Sequence, residues 1–150
     1  MPKIIHPLAG SIAILTIATF WIATAVSELS GSDILVVAVK SAIPWGFLLL
    51  IPALMATGAS GFAVAGGRRS GLITPKVRRM PIIAANGILV LVPAALFLAS
   101  KARAEDFDTT FYVVQTIELL AGLANIILLT LNMRDGFKMT GRFRTRPTKT

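Results

Sequence analysis

The sequence contains no cysteine and a single histidine, His6. Without cysteine the chain forms no disulfide, thiolate nucleophile, iron–sulfur cluster or cysteine-based zinc site. One histidine close to the N-terminus gives no convincing Ser–His–Asp set. The longest apolar segments contain one acid, Glu118, which gives no paired-carboxylate site. We therefore favour a non-enzymatic function and predict no metal site.

Charge is also scarce, and its scarcity indicates the class of protein. Charged residues make up 15% of the chain and hydrophobic residues 55%, and the mean hydropathy is +0.76. Soluble domains carry about 25% charged residues. Residues 4–27, 41–67 and 80–100 have no charged side chain, and residues 109–133 have only Glu118. Because a helix needs about 20 apolar residues to cross a bilayer, we predict four transmembrane helices.

These runs leave little sequence for anything but the helices. We predict an all-α, antiparallel four-helix membrane bundle that forms a single domain over residues 1–150. The predicted helices are residues 7–27, 41–66, 80–100 and 109–133. The first run is long for a signal peptide and has only Lys3 as its basic region, so we expect it to be retained. Pro52 and Pro93 lie within predicted helices, and each should kink its helix.

The placement of the net charge of +8 predicts an orientation. Basic residues are concentrated between helices two and three and in a tail over residues 134–150, whereas the other two loops are mixed or acidic. The basic residues of those two segments are Arg68, Arg69, Lys76, Arg78, Arg79, Arg134, Lys138, Arg142, Arg144, Arg146 and Lys149. By the positive-inside rule both termini are cytoplasmic in a bacterial inner membrane. The basic segments then face anionic lipid head groups. Nucleic acid is not expected, because no stacking aromatics interleave the basic residues.

The last hydrophobic run carries a polar stripe. Glu118, Asn125 and Asn132 recur at seven-residue spacing, and Gln115 occupies an alternate position of the same heptad seam. On a helix all four side chains share one narrow face. Asn86 in the third helix has a depth similar to that of Asn125, so the two amides are predicted to hydrogen-bond if their helices are neighbours.

Glu118 is the most unusual member of the stripe because it is predicted to lie about 13 Å from the outer end of its helix. Burial there opposes ionisation, so we predict a neutral carboxyl that bonds to a hydroxyl such as Thr16 or Thr19. The alternative is a charged carboxylate held by a cation, Lys40 or Lys101, that reaches inward. Intramembrane acids also serve as proton carriers or ligand contacts, and the sequence does not separate this role from helix packing.

His6 has two interpretations. The first is a side chain at the membrane interface. The second is an axial haem ligand, with the other axial position filled from a second subunit or by one of the methionines predicted to lie at the same face, Met80, Met133 and Met139.

No family motif is recognised in the sequence, so function rests on these residues alone. The leading hypothesis is a small, non-enzymatic accessory or interaction subunit of the inner membrane that uses the polar stripe of helix four within a homo-oligomer or larger membrane complex. The alternatives are a cytochrome b-like, haem-binding redox bundle held through His6, and a small transporter or channel subunit with Glu118 as its ionisable centre.

The charge distribution predicts the topology directly. A phosphatase that is active only in the periplasm should be inactive when fused after Thr150 and active when inserted near Asp106. The reason is the excess of lysine and arginine in the second loop and tail. Enzyme activity in intact cells, normalised to fusion-protein level, measures this. Activity at Thr150 without activity near Asp106 would contradict the predicted orientation.

Overall fold

A computed structural model of the chain describes residues 2–65 and 73–139, and all regular structure in those residues is helical. The helices are α1 (Pro2–Leu29), α2 (Asp33–Ala65), α3 (Ile73–Asn86), α4 (Val92–Arg103) and α5 (Thr109–Met139), and a π-helical turn, Gly87–Leu91, joins α3 to α4. Of the predicted basic residues, Arg68, Arg69 and those of residues 140–150 lie outside the described part.

The described residues contain four helical segments long and apolar enough to cross a membrane, as predicted. They are Ile4–Leu29, Asp33–Gly61, Arg78–Arg103 and Thr109–Gly136. The third segment combines the end of α3, the π-helical turn and α4. The chain therefore has the architecture of a multi-pass membrane protein.

Neighbouring helices pack in a closed order around the bundle. α1 contacts α2 and α5, α2 contacts α4, and both α3 and α4 contact α5. A core cluster near the middle draws on all four spanning segments, with Ala13, Ile17, Leu50, Ala53, Ile83 and Leu129. A second cluster, Val36, Leu98, Ala102 and Phe111, closes the end at which the 30–32 and 104–108 connections lie. In this order α2 and α5 face each other across the bundle.

The first connection is shorter than the predicted one. α1 ends at Leu29 and α2 begins at Asp33, so the apolar stretch of residues 34–39 and Lys40 belong to a helix rather than to a loop. Gly31 adopts a φ of +64°, which glycine tolerates at a helix end, and the Ser32 hydroxyl accepts a hydrogen bond from the Leu35 amide. The early start of α2 carries Lys40 about two turns into the span.

The π-helical turn explains how the third span accommodates a proline. Pro93 has no amide hydrogen to donate, and its ring crowds the preceding turn of helix. The helix widens to a π-helical turn over Gly87–Leu91, which ends two residues before Pro93. In this turn the Val92 amide donates to the Gly87 carbonyl. Pro52, by contrast, lies inside the continuous helix α2. The two prolines predicted to act alike therefore have different local structures.

The connection between α4 and α5 is held by charge. Lys101 Nζ lies 2.6 Å from Asp106 Oδ2 and 2.8 Å from Asp108 Oδ2, and Asp108 Oδ1 accepts a hydrogen bond from the Phe111 amide at 2.8 Å, as an N-cap does. These hydrogen bonds, that from Lys101 above all, lower the pKa of Asp108. Lys101 is thus engaged at the surface and does not reach inward. α5 starts at Thr109, as predicted, but continues to Met139, into the predicted tail.

One close approach in the core depends on glycine. A Cβ at Gly46 would lie 2.6 Å from Phe20 Cε1 and nearer still to Cζ. The Phe20 ring packs edge-on against Phe47 with centroids 6.3 Å apart, so it has little freedom to retreat. Gly58, in the same helix, has no atom within 4 Å of the corresponding position.

These two glycines form a matched pair. Gly46→Ala should lower the free energy of unfolding by about 1–3 kcal/mol, the usual cost of overpacking a core. Gly58→Ala should be neutral or stabilising by up to about 1 kcal/mol, because alanine is the better helix former. Thermal unfolding of both variants in one detergent provides the comparison. Equal effects would contradict the contact between α1 and α2 at Phe20.

Candidate functional site

The candidate site is built around a buried ion pair between α2 and α5. Lys40 Nζ contacts Glu118 Oε2, and it also donates to Thr24 Oγ1 of α1 at 3.4 Å. The Lys40 side chain is fully buried, and that of Glu118 is 12% exposed. Three helices are therefore joined through one ammonium group.

The structure corrects the predicted surroundings of Glu118. The Thr16 and Thr19 hydroxyls donate to carbonyls of their own helix, those of Ile12 and Leu15. The partner of the acid is Lys40, so the cationic alternative describes the geometry, and the expected hydrogen bond to Thr16 or Thr19 is wrong.

Two further polar side chains border the pair. Gln115 lies one helical turn before Glu118 on the same face of α5, and Glu28 lies one turn after Thr24 on α1. Glu28 is within electrostatic range of both Lys40 and Glu118. We call Glu28, Lys40, Gln115 and Glu118 the Lys40 cluster. When its three ionisable side chains are charged, two acids and one cation leave a formal charge of −1.

A cavity of about 50 Å³ adjoins the cluster on the side of the bundle interior. Its wall includes Glu118 and Thr24 as well as apolar residues such as Trp21, Leu50 and Gly122. The Trp21 indole N–H donates to the Leu119 carbonyl at 2.9 Å, which fixes the ring beside the cavity. Glu118 is thus placed between the other polar groups of the cluster and an interior space.

The stripe residues outside the Lys40 cluster bond within the chain. Asn86 Nδ2 donates to Asn125 Oδ1 at 2.9 Å and to the Ala121 carbonyl at 2.8 Å, so the predicted hydrogen bond between the two amides is present. Asn125 Nδ2 donates to the Ile83 carbonyl at 3.4 Å. Gln115, Asn125 and Asn132 are all at least 95% buried. The stripe faces the interior of the bundle and connects α5 with α3.

A second ion pair lies at the opposite end of α5. Arg79 Nη1 donates to Asp135 Oδ2 at 2.7 Å and lies 3.5 Å from Asn132 Oδ1. Asn132 Nδ2 lies 3.4 Å from Met80 Sδ. The charge pattern of the sequence indicated an orientation for Arg79 and no pairing with Asp135. The signal for the pairing is that Asp135 lies one helical turn after Asn132, on the face of the stripe.

His6 packs against the end of α2. Its Nδ1 lies 3.0 Å from the Thr57 carbonyl oxygen and 3.2 Å from Ser60 Oγ, and a Cβ at Gly61 would lie 3.1 Å from its Cε1. A proton on Nδ1 is required for donation to the carbonyl. Haem ligation by His6 stays a prediction, since these contacts do not test it. Of the suggested partner ligands, Met80 contacts Asn132, and the side chain of Met139 is outside the described part.

Sequence reasoning missed Glu28 altogether and identified Lys40 only as an alternative. The available signal was the apolar run over residues 34–39. Because that run precedes Lys40, a helix starting at Asp33 buries the lysine rather than leaving it at the membrane surface.

The Lys40–Glu118 ion pair can be tested with a double-mutant cycle. Lys40→Met should lower the free energy of unfolding by about 3–5 kcal/mol, because it leaves a buried carboxylate without its cation. Glu118→Leu strands the ammonium and should have a similar cost. The double variant Lys40→Met/Glu118→Leu should recover most of the loss, because well-packed apolar groups replace a buried ion pair at little cost.

Lys101→Met is the matched control, since its ion pairs with Asp106 and Asp108 are at the surface, and its loss should be clearly smaller. Chemical unfolding in detergent measures all four variants. Losses that simply add in the double variant would contradict the pairing.

Comparison of the chain with protein-family models, with curated proteins and with solved structures gives no match.

Proposed function

We propose that this chain is a small, non-enzymatic accessory subunit of a bacterial inner membrane in which the Lys40–Glu118 pair is the functional, ionisable centre. The burial of this pair is the observation that carries the proposal. Two charges in an apolar bundle are seldom the most stable choice, because apolar side chains of similar volume often hold such a position better. Ionisable groups within membrane spans are functional candidates for the same reason.

The proposal includes an antiparallel bundle with both termini in the cytoplasm. Contacts between opposite ends of neighbouring helices support it: His6 of α1 meets Ser60 of α2, and Arg79 of α3 meets Asp135 of α5. The basic loop and tail support the orientation. In this arrangement the Lys40 cluster lies towards the periplasmic side and Arg79–Asp135 towards the cytoplasmic side, where anionic lipid head groups are abundant.

In this proposal the polar stripe has a structural role, whereas the sequence favoured a role in contact with a partner. Its buried asparagines bond to α3, so in this proposal the stripe holds the bundle in register and any partner subunit contacts the lipid-facing surface. Side chains such as Trp45, Leu48 and Met55 are about 70% exposed on that surface. A homo-oligomer and a larger membrane complex both fit this arrangement.

A transporter or channel subunit is the second candidate, and the cavity beside Glu118 favours it. A charged residue that lines an interior space is typical of ion and proton pathways. Lys40 and Glu118 are the central residues in both candidates, so one set of variants tests both.

The test compares folding with function in cells that lack the gene. The double variant Lys40→Met/Glu118→Leu should accumulate in the membrane and unfold near the wild-type temperature, yet fail to restore the deletion phenotype. The reason is that the apolar pair preserves packing but has no ionisable group. Full restoration by this variant would show that the ion pair only stabilises the fold and would overturn the proposal.

Two additional measurements separate the alternatives. Dissipation of a pH gradient by wild-type protein in vesicles, absent in the double variant, would select the transport candidate. A Soret absorbance band in purified wild-type protein that disappears in His6→Ala would select the haem-binding bundle.

A further inference from the structure

Three buried polar atoms beside the Lys40–Glu118 pair have no hydrogen-bond partner among the described residues. They are both side-chain polar atoms of Gln115 and one carboxylate oxygen, Oε1, of Glu28. Gln115 is only 4% exposed. Nearly all buried polar groups in proteins are bonded to protein or to ordered water, so three unbonded atoms around one ion pair point to a ligand that contacts them.

The positions of these atoms indicate a small, hydrogen-bonding ligand. Gln115 presents both a donor and an acceptor one turn from Glu118, and Glu28 presents an acceptor near the first connection. Water donates and accepts, and it satisfies both groups. The adjoining cavity is lined by Glu118 and Thr24, but not by Gln115 or Glu28. Its volume of about 50 Å³ exceeds the roughly 10–15 Å³ that one water molecule requires.

The charges of the Lys40 cluster indicate that such water carries a proton. From α1 the group facing Glu118 is Glu28, and from α2 it is Lys40. Asp33 of α2 is within electrostatic range of Glu28. α4 contributes buried apolar side chains at this end, among them Leu98 and Ala102. The Lys40 cluster itself has a formal charge of −1 when its ionisable side chains are charged, and one proton neutralises it.

We propose that the Lys40 cluster is a hydrated proton-uptake site, in which Glu28 accepts a proton from bulk water and passes it to Glu118 through water held by Gln115. The inference rests on the proposed function, because it names the proton as the ligand of the ionisable centre. Hydronium gives one proton to the Glu28 carboxylate and becomes water. The proton then moves through the bound water to the Glu118 carboxylate, Glu28 returns to its charged form, and Lys40 keeps its charge throughout.

Infrared difference spectroscopy of the full-length protein in phosphatidylcholine vesicles tests the proposal, with bulk protons as the probe. Lowering the pH should produce a carbonyl-stretch band from a buried protonated carboxyl, shifted by its surroundings from the bands of exposed acids. The band should be lost in Glu118→Gln, and after a pH jump it should form more slowly in Glu28→Gln than in wild type. Glu105→Gln is the control, because Glu105 is an exposed acid at the same end of the bundle, and it should leave the band and its rate unchanged.

Gln115→Leu gives an independent answer if Glu28→Gln or Glu118→Gln fails to fold. In a hydrated site leucine displaces bound water, which should lower the unfolding temperature and slow formation of the band. In a dry site leucine removes two unbonded polar atoms and should raise the unfolding temperature, which would overturn the proposal.

Two further experimental outcomes would also overturn the proposal. A band that is absent in wild type or unchanged in Glu118→Gln would overturn proton uptake by this cluster. Stabilisation by sodium at fixed pH and ionic strength, lost in Glu28→Gln, would replace the proton with a metal cation and likewise overturn it. Neither result affects the proposed function, which is decided separately by whether the double variant restores the deletion phenotype.

Discussion

The buried contact between Lys40 and Glu118 is the interaction on which the arrangement of the helices depends. α2 and α5 face each other across the bundle, and this pair joins them, while Thr24 ties the same ammonium group to α1. In an apolar environment a charge without its partner is far more costly than one in water. The relative depth of three helices is therefore set by a requirement that two charged atoms meet.

The rest of the polar stripe also fixes the position of α5 relative to its neighbours, but with neutral side chains instead of charged ones. Asn125 and Asn132 both contact α3, at Asn86 and at Met80, whereas Glu118 contacts α2. Arg79–Asp135 closes the opposite end. Interhelical hydrogen bonds in membranes are individually weak, about 0.6 kcal/mol on average. Together they specify the register of α5, because all of these hydrogen bonds form in only one register.

The cluster around Lys40 differs from the remainder of the stripe because its polar groups are not fully satisfied by one another. Asn86 and Asn125 bond directly, whereas Gln115 and Glu28 keep buried polar atoms that have no partner among the described residues. A stripe used only for packing would be expected to resemble the asparagine pair throughout. The contrast within one helix is what separates a structural region from a candidate site.

The sequence alone determined the membrane class, the number of spans and the polar stripe, because length, hydropathy and seven-residue spacing are local properties of a helix. It also indicated the bond between Asn86 and Asn125 through their similar depths. It did not determine that Lys40 lies inside α2 or that Glu28 joins the site. The helix start at Asp33 depends on the Gly31 turn, and the reach of a lysine across the bundle depends on which helices face each other. Those distances are set by tertiary packing, so the partner of Glu118, and with it the character of the site, was decided only by the fold.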